Sequence, residues 1–228
     1  MSKCGFLAIL FLVTSSFSLQ AAIVTYTDPG LFNAAIAGRT NTTLNFDTTA
    51  VGTTIASGSA FGGLTFDYTW ASGEELRIND DNDTNSGNNY LAASTATDGE
   101  DLIADENNFT MTPVMDASAF GVFVITQDEA FDGDLRLVSG TSQVDLAGPS
   151  LSTLGDGSHV YFLGFVANPD EILSPVNLEA DILAFLLNYR ADDIVFSEAL
   201  APPAPEPGSF LVCTGVLSLL NFRRRRAS

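Results

Sequence analysis

Between residues 23 and 201 this chain has no cysteine and no lysine. Its two cysteines, Cys4 and Cys213, lie near opposite ends, and its single lysine is Lys3. The central region therefore cannot be held by disulfides, even in an oxidising compartment. One histidine, His159, leaves no set of His and Cys ligands for zinc or copper. Basic residues are scarce throughout. Lys3 and Arg223 to Arg226 account for five of the nine, so Arg39, Arg77, Arg136 and Arg190 stand alone against 27 of the 28 acidic residues, a formal net of −23 for residues 23–201. Such a charge repels nucleic acid and anionic lipid, and it excludes a nucleic-acid partner. A hydrophobic core and bound hard cations remain as means of holding the fold.

What is present is concentrated first at the two ends. Lys3 precedes the apolar run Phe6 to Val13, and Gln20-Ala21-Ala22 follows as a small-residue ending. That order is a secretory signal peptide over residues 1–22, with cleavage after Ala21 or Ala22. Cys4 lies before the apolar run, so it is not a lipoprotein acylation site. At the other end, Pro205-Glu206-Pro207 leads into an apolar run from Gly208 to Phe222, which is followed by Arg223-Arg224-Arg225-Arg226. An apolar segment favours hydrocarbon, whereas four arginines resist crossing, which leaves the preceding chain on the far side of the membrane. The run is 15 residues long. As a helix it reaches about 22 Å, short against a hydrocarbon core of about 30 Å. That length suits a transient span better than a permanent tail anchor, which is the alternative.

The order Pro205-Glu206-Pro207-Gly208, apolar run, Arg223 to Arg226 resembles the PEP-CTERM sorting signal of Gram-negative bacteria. The resemblance implies an exosortase-type processing enzyme as partner, transient residence in the inner membrane, cleavage near Pro-Glu-Pro, and delivery to the cell surface or extracellular matrix. Residues 202–228 form the sorting signal and residues 23–201 the exported domain, which is long enough for one core.

Within that domain one helix is expected. Asp28 can cap it, Pro29 fits its first position, Leu31, Phe32, Ala35 and Ile36 share a face, and Gly38 ends it. It is expected to cover one end of a sheet. Beyond Gly38 the chain reads as strands at Leu44 to Phe46, Leu64 to Trp70, Phe109 to Met115, Ala119 to Thr126, Leu135 to Val138, Tyr161 to Val166 and Asp193 to Phe196. Leu64, Phe66, Tyr68 and Trp70 alternate with Thr65, Asp67 and Thr69, the period of a half-buried strand. Asn177 to Arg190 fits a strand or, through Leu178, Ile182, Phe185 and Leu186, a helix; strand is preferred. The class is all-β, an antiparallel two-sheet sandwich with one short helix, plus a signal helix and a C-terminal transmembrane helix. Asp28 to Phe32, Leu44 to Asp47, Gly63 to Phe66, Ala119 to Val122, Phe162 to Phe165 and Asp192 to Phe196 are similar to segments of PEP-CTERM ectodomains. That likeness implies a jelly-roll-like sandwich of the carbohydrate-binding type.

Candidate sites are few. Asp81, Asp83 and Asn85, in the polar stretch Asn79 to Asn89, have the alternate spacing that lets a loop wrap oxygens around Ca²⁺. The stretch is not an EF-hand, since Ser86 stands at the sharp-turn position and Ala92 at the twelfth. A solvated loop between strands is the competing reading. The jelly-roll resemblance implies a second calcium possibility, tying Asp47 to Asp192 or Asp193. Trp70, Tyr90 and Tyr161 could offer aromatic faces to a sugar, as could Tyr68, although Tyr68 and Trp70 share the alternating core face. Acidic pairs such as Glu74/Glu75 and Asp128/Glu129 are unselected by any motif, and Ser158 beside His159 is adjacency rather than triad geometry. The sequence thus reads as a non-catalytic structural or adhesive surface protein with polysaccharide as a potential partner. The alternative is a secreted carbohydrate-binding module or carbohydrate-active enzyme.

Overall fold

The computed structural model describes residues 23–70, 74–95, 102–104, 107–168, 171–180 and 187–199. The expected signal peptide (1–22) and the expected sorting signal (202–228), Pro205 to Gly208 and Arg223 to Arg226 included, lie outside these residues. Among the described residues, no helix is long and apolar enough to cross a membrane.

Two antiparallel sheets face one another. The larger runs β1 (Val24–Tyr26), β13 (His159–Val166), β9 (Ala117–Thr126), β15 (Tyr189–Glu198), β7 (Tyr90–Thr95), β6 (Glu74–Asn79) and β3 (Thr54–Ile55). Two short strands join this sheet, β12 (Ser152–Thr153) beside β13 and β2 (Asn41–Leu44) beside β15. The smaller sheet runs β11 (Ser142–Asp145), β10 (Leu135–Ser139), β14 (Val176–Ala180), β8 (Phe109–Pro113), β5 (Leu64–Tyr68) and β4 (Ser59–Phe61). Period-2 alternation produces the layer between them. Leu64 and Phe66 of β5, Phe109 and Met111 of β8, and Leu135 and Leu137 of β10 meet Leu76, Ile78, Val122, Val124 and Phe165 of the larger sheet in one buried cluster. Each fully buried Leu or Phe contributes about 1.5–3 kcal/mol, so this layer supplies most of the stability.

The expected strands are present with shifted ends. The first runs from Asn41 to Leu44, and Phe46 is buried just beyond it. Val176–Ala180 is a strand, as preferred for the start of the ambiguous stretch; residues 181–186 lie outside the described residues. Strands β6 and β7 carry weaker signals: β6 alternates only at Leu76 and Ile78, and in β7 Tyr90, Leu91, Ala92 and Ala93 are all buried without alternation.

The helix α1 (Pro29–Ala35) forms as its cap demands: the Asp28 carboxylate accepts hydrogen bonds from the Gly30 and Leu31 amides at 2.7 and 3.0 Å. Its position differs from expectation. It lies on the outward face of the larger sheet rather than at an end, and the reason is two glycines. Gly121 and Gly164 pair in register across β9 and β13. Phe162 and Phe32 occupy the space a side chain would take: a Cβ on Gly121 would stand 2.6 Å from Phe162 and 3.0 Å from Phe32. Phe32, Ile36, Ala119, Phe162 and Val166 form a second, small core there. The outward face of the smaller sheet has no such cover among the described residues and is polar.

Candidate functional site

The other half of the larger sheet's outward face is covered by the stretch from Asp80 to Asn89, which connects β6 to β7. Two groups of side chains hold it down, both centred on β15.

The first is built on Arg190. Alternation directs Tyr189 and Ala191 into the core, which leaves Arg190 and Asp192 on the outward side beneath the loop. Arg190 is only 1% exposed. Its Nε donates to the Asp83 carbonyl at 3.0 Å, and Nη2 donates to the same oxygen, to Asp156 Oδ2 at 3.0 Å and to Ser158 Oγ at 3.0 Å. The guanidinium carbon lies 5.3 Å from the centre of the buried Tyr90 ring, whose hydroxyl accepts from Asn82. Asp83 and Asp156 also exchange hydrogen bonds, each amide donating to the other's carboxylate. Burial alone would push the Asp156 carboxyl up; the Ser158 hydroxyl and amide, the Asp83 amide and the Arg190 charge together hold it below its ordinary value. Burial lowers the Arg190 pKa, opposed mainly by Asp156.

The second group is a turn surrounded by three carboxylates. A register shift in β15 between Asp192 and Val195 inserts an extra residue, and Asp193 takes a φ of 43°, which aspartate tolerates better than most side chains. Both Asp192 and Asp193 therefore reach the same turn. Ser86 donates its amide to Asp192 at 3.1 Å and its hydroxyl to Asp193 at 2.8 Å, and Asn85 donates to Asp193 at 3.1 Å. Asp47, from the opposite side, accepts from the Asn88 and Asn89 amides at 2.9 and 3.3 Å. Gly87 is required here, with φ 59° and its would-be Cβ 1.8 Å from Asp47 Oδ1.

Asp192 is fully buried. Burial first, then Asp193 and Asp47, push its carboxyl up to about 7, against the pull of the Ser86 and Asp193 amides. It binds its proton more tightly folded than unfolded. Its contribution is therefore greatest below the ordinary aspartate value of 3.8, falls as pH rises from there through about 7, and is flat above that. The swing is on the order of 4 kcal/mol. Denaturant unfolding in calcium-free buffer should show stability declining between pH 4 and 7 in this component, and Asp192→Asn should flatten the decline. An unchanged pH profile in the variant would refute the assignment.

The sequence candidates divide accordingly. Asp47, Asp192, Asp193 and Asn85 are brought together. Asp83 belongs to the Arg190 group instead, and Asp81 is exposed, so Asp81, Asp83 and Asn85 do not share a centre. Among the described residues, no group of three or more His, Cys, Asp or Glu is arranged to hold a metal ion. The physical reason is visible at the turn: five N–H and O–H donors from residues 85–89 occupy the three carboxylates, and a cation would have to displace them. Tyr90 and Tyr161 are buried, the latter with its hydroxyl accepting from the Ala130 amide, so neither presents a ring face to solvent. Trp70 is half-buried, packed 4.4 Å from Tyr68 and bonded through Nε1 to the Asn108 carbonyl. Ser158 is engaged by Asp156 and Arg190, while His159 lies 3.4 Å from Ser150, so the two are not paired as nucleophile and base. Arg190 was missed. The available signal was a lone cation in an otherwise alternating apolar strand, two residues before paired aspartates.

No family model matches the chain, and no curated protein matches it. Five chains of solved structures do. One is the K2 cleaved adhesin domain of Lys-gingipain, at 18% identity and a TM-score of 0.31, covering 77% of this chain and 99% of the adhesin domain. A likeness of that size transfers neither fold nor binding property. The two-sheet architecture rests on the hydrogen-bonded pairings described above.

Proposed function

We propose that this is an exported protein whose C-terminal segment is processed by an exosortase-type enzyme and whose jelly-roll-like domain serves a structural or adhesive, non-catalytic role at the cell surface or in the extracellular matrix. Sorting is supported by the order of residues Pro205 to Arg226 together with the N-terminal signal pattern. One observation carries the structural role: the domain's densest run of polar side chains is consumed in holding its own loop to the sheet, through Arg190, Asp192, Asp193 and Asp47. Interlocking of this kind rigidifies a cysteine-free domain outside the cell.

Mass spectrometry of the protein recovered from its native host tests the sorting half. The expected C-terminal peptide ends near Pro205 to Pro207; a mature chain still carrying Arg226 would overturn it. Calcium enters this reading as a competitor for the carboxylates of Asp47, Asp192 and Asp193. With five donors already on these carboxylates, the expected result is an unchanged melting temperature at millimolar Ca²⁺; a rise that Asp193→Asn abolishes would show that the cation displaces them.

A further inference from the structure

Both ends of the described chain meet at one end of the sandwich. In the larger sheet Val24 of β1 opposes Val166 of β13, Val166 opposes Ala119 of β9, Ala119 opposes Ser197 of β15, and Ser197 opposes Asn41 of β2. Ile23 and Ala199 lie just past this row, on the same side of it. Three strand spacings separate β1 from β15, so the two exits stand about 14 Å apart. Residues 114–116, which join β8 to β9, close the same end, and the Asp116 carbonyl accepts from the Ala199 amide. The chain returning from β13 to β14 passes the same point, the Leu173 amide donating to the Ala117 carbonyl.

Apolar side chains are exposed here. Val114 and Met115, beside the C-terminal exit, are 64% and 61% exposed, and Ile172 and Val24 are about as open. Single apolar side chains on a surface are ordinary; these gain meaning from what the chain does next. Beyond Ala199, eight residues, Leu200 to Pro207, four of them proline, precede the apolar run 208–222. At about 3.1 Å per residue such a link reaches about 25 Å. Strand β15 alone is ten residues long, about 33 Å. With residues 208–222 in a bilayer, the link is too short to run the length of the domain, so the far end is kept off the membrane. The N-terminal side gives the same orientation: nine residues, Thr14 to Ala22, separate the apolar run ending at Val13 from Ile23. Charge agrees as well. The far end carries Asp128, Glu129, Asp132 and Asp134 in the single connection from β9 to β10.

We infer that the end of the sandwich bearing both exits rests on the bilayer while residues 208–222 are inserted, with Val114, Met115 and Ile172 entering the headgroup layer of zwitterionic lipid. The inference rests on the membrane reading of residues 208–222 and adds the part of the domain that meets lipid. Exposed Asp116 and Glu198 at this end sit among headgroups that offer cationic amines. The tether holds the contact at high effective concentration, so a few side chains suffice. Once the tail is cut, a domain with a formal net of −23 over residues 23–201 has no such help and leaves the membrane.

Fluorescence quenching tests this on the full chain, reconstituted in phosphatidylcholine vesicles with nitroxides at the headgroup boundary and in the acyl chains. Each preparation carries one dye. In a Cys4→Ala chain it sits on Cys213 and reports the tail. With Cys213→Ala added, it sits on Met115→Cys, on Ile172→Cys, or on Phe131→Cys in the connection at the far end, where the native side chain is 75% exposed. Cys213, Met115→Cys and Ile172→Cys should lose most of their fluorescence, and Phe131→Cys none. Two reporters on separate connections keep the test decisive if one variant folds poorly. Quenching at Cys213 with neither Met115→Cys nor Ile172→Cys quenched would sink this inference and leave the membrane reading standing. So would equal quenching at Phe131→Cys, or a blue shift at Met115→Cys without quenching, the sign of a protein surface covering it. An unquenched Cys213 would overturn the membrane reading and this inference together.

Discussion

Arg190→Met should destabilise the domain by about 3–4 kcal/mol, because the change leaves a buried network without its centre. Methionine keeps most of the length and apolar contact, so the loss isolates the guanidinium. Gone are the hydrogen bonds to the Asp83 carbonyl, to Asp156 and to Ser158, and the stacking over Tyr90. Removing one partner from a buried charge network costs more than the network contributes as a whole, since the remaining polar groups stay desolvated. Asp156 is 26% exposed and recovers some hydration, which keeps the cost at the lower end of the usual range. Lysine should not rescue the loss. One ammonium cannot reproduce the planar fork that meets three oxygens from two loops. Denaturant unfolding measures the loss, and amide hydrogen exchange locates it, with faster exchange expected at residues 82–89 and 156–158. A cost under 1 kcal/mol, or exchange unchanged in those two loops, would show that the loops are held by other means.

The second large effect lies on the other half of the same face. Gly121→Val should cost about 3 kcal/mol, although valine is by propensity far better suited to a central strand than glycine. A Cβ at this position would stand 2.6 Å from Phe162 Cζ and 3.0 Å from Phe32 Cζ, and both rings are buried and packed 5.1 Å apart. Neither can yield without moving α1. The penalty is therefore a collision with particular atoms, which a second substitution can relieve. Phe162→Leu removes the offending ring edge, and the double variant should be more stable than the sum of the single effects predicts by at least about 1 kcal/mol. Additive effects would place the strain elsewhere, in β9 itself.

These two positions also mark the limits of what the sequence disclosed. Alternation made the core-facing strands readable, because Leu64/Phe66 and Leu135/Leu137 each need only their own neighbours to declare a buried side. The Asp28 cap and Pro29 similarly declared α1 locally. Where the helix would settle was not local: it depends on Gly121 meeting Gly164 across two strands more than forty residues apart in the chain. The candidate carboxylates were legible as residue types, and the jelly-roll resemblance had grouped Asp47 with Asp192 or Asp193; in the fold all three accept hydrogen bonds from the turn at residues 85–89. Their partners were not legible. Donors aimed at them come from the turn at Ser86, and the β15 bulge that turns Asp193 toward it leaves no mark beyond two adjacent aspartates. Arg190 went unnoticed for a related reason. A buried cation is stabilised by a carbonyl, a carboxylate and a hydroxyl from separate loops, and no spacing rule connects Asp83, Asp156 and Ser158.

The position of β15 has a mechanical consequence. β15 is the last described strand, and its C-terminal end is held by a hydrogen bond from the Ala199 amide to the Asp116 carbonyl. β15 is an interior strand, flanked by β9 on one side and by β7 and β2 on the other. A pull on the C-terminal end along the strand axis therefore loads ladders on both sides of β15 in shear, whereas the edge strand β1, paired with β13 alone, would load one. Force applied at that end would therefore enter the fold through a strand paired on both sides rather than through an edge.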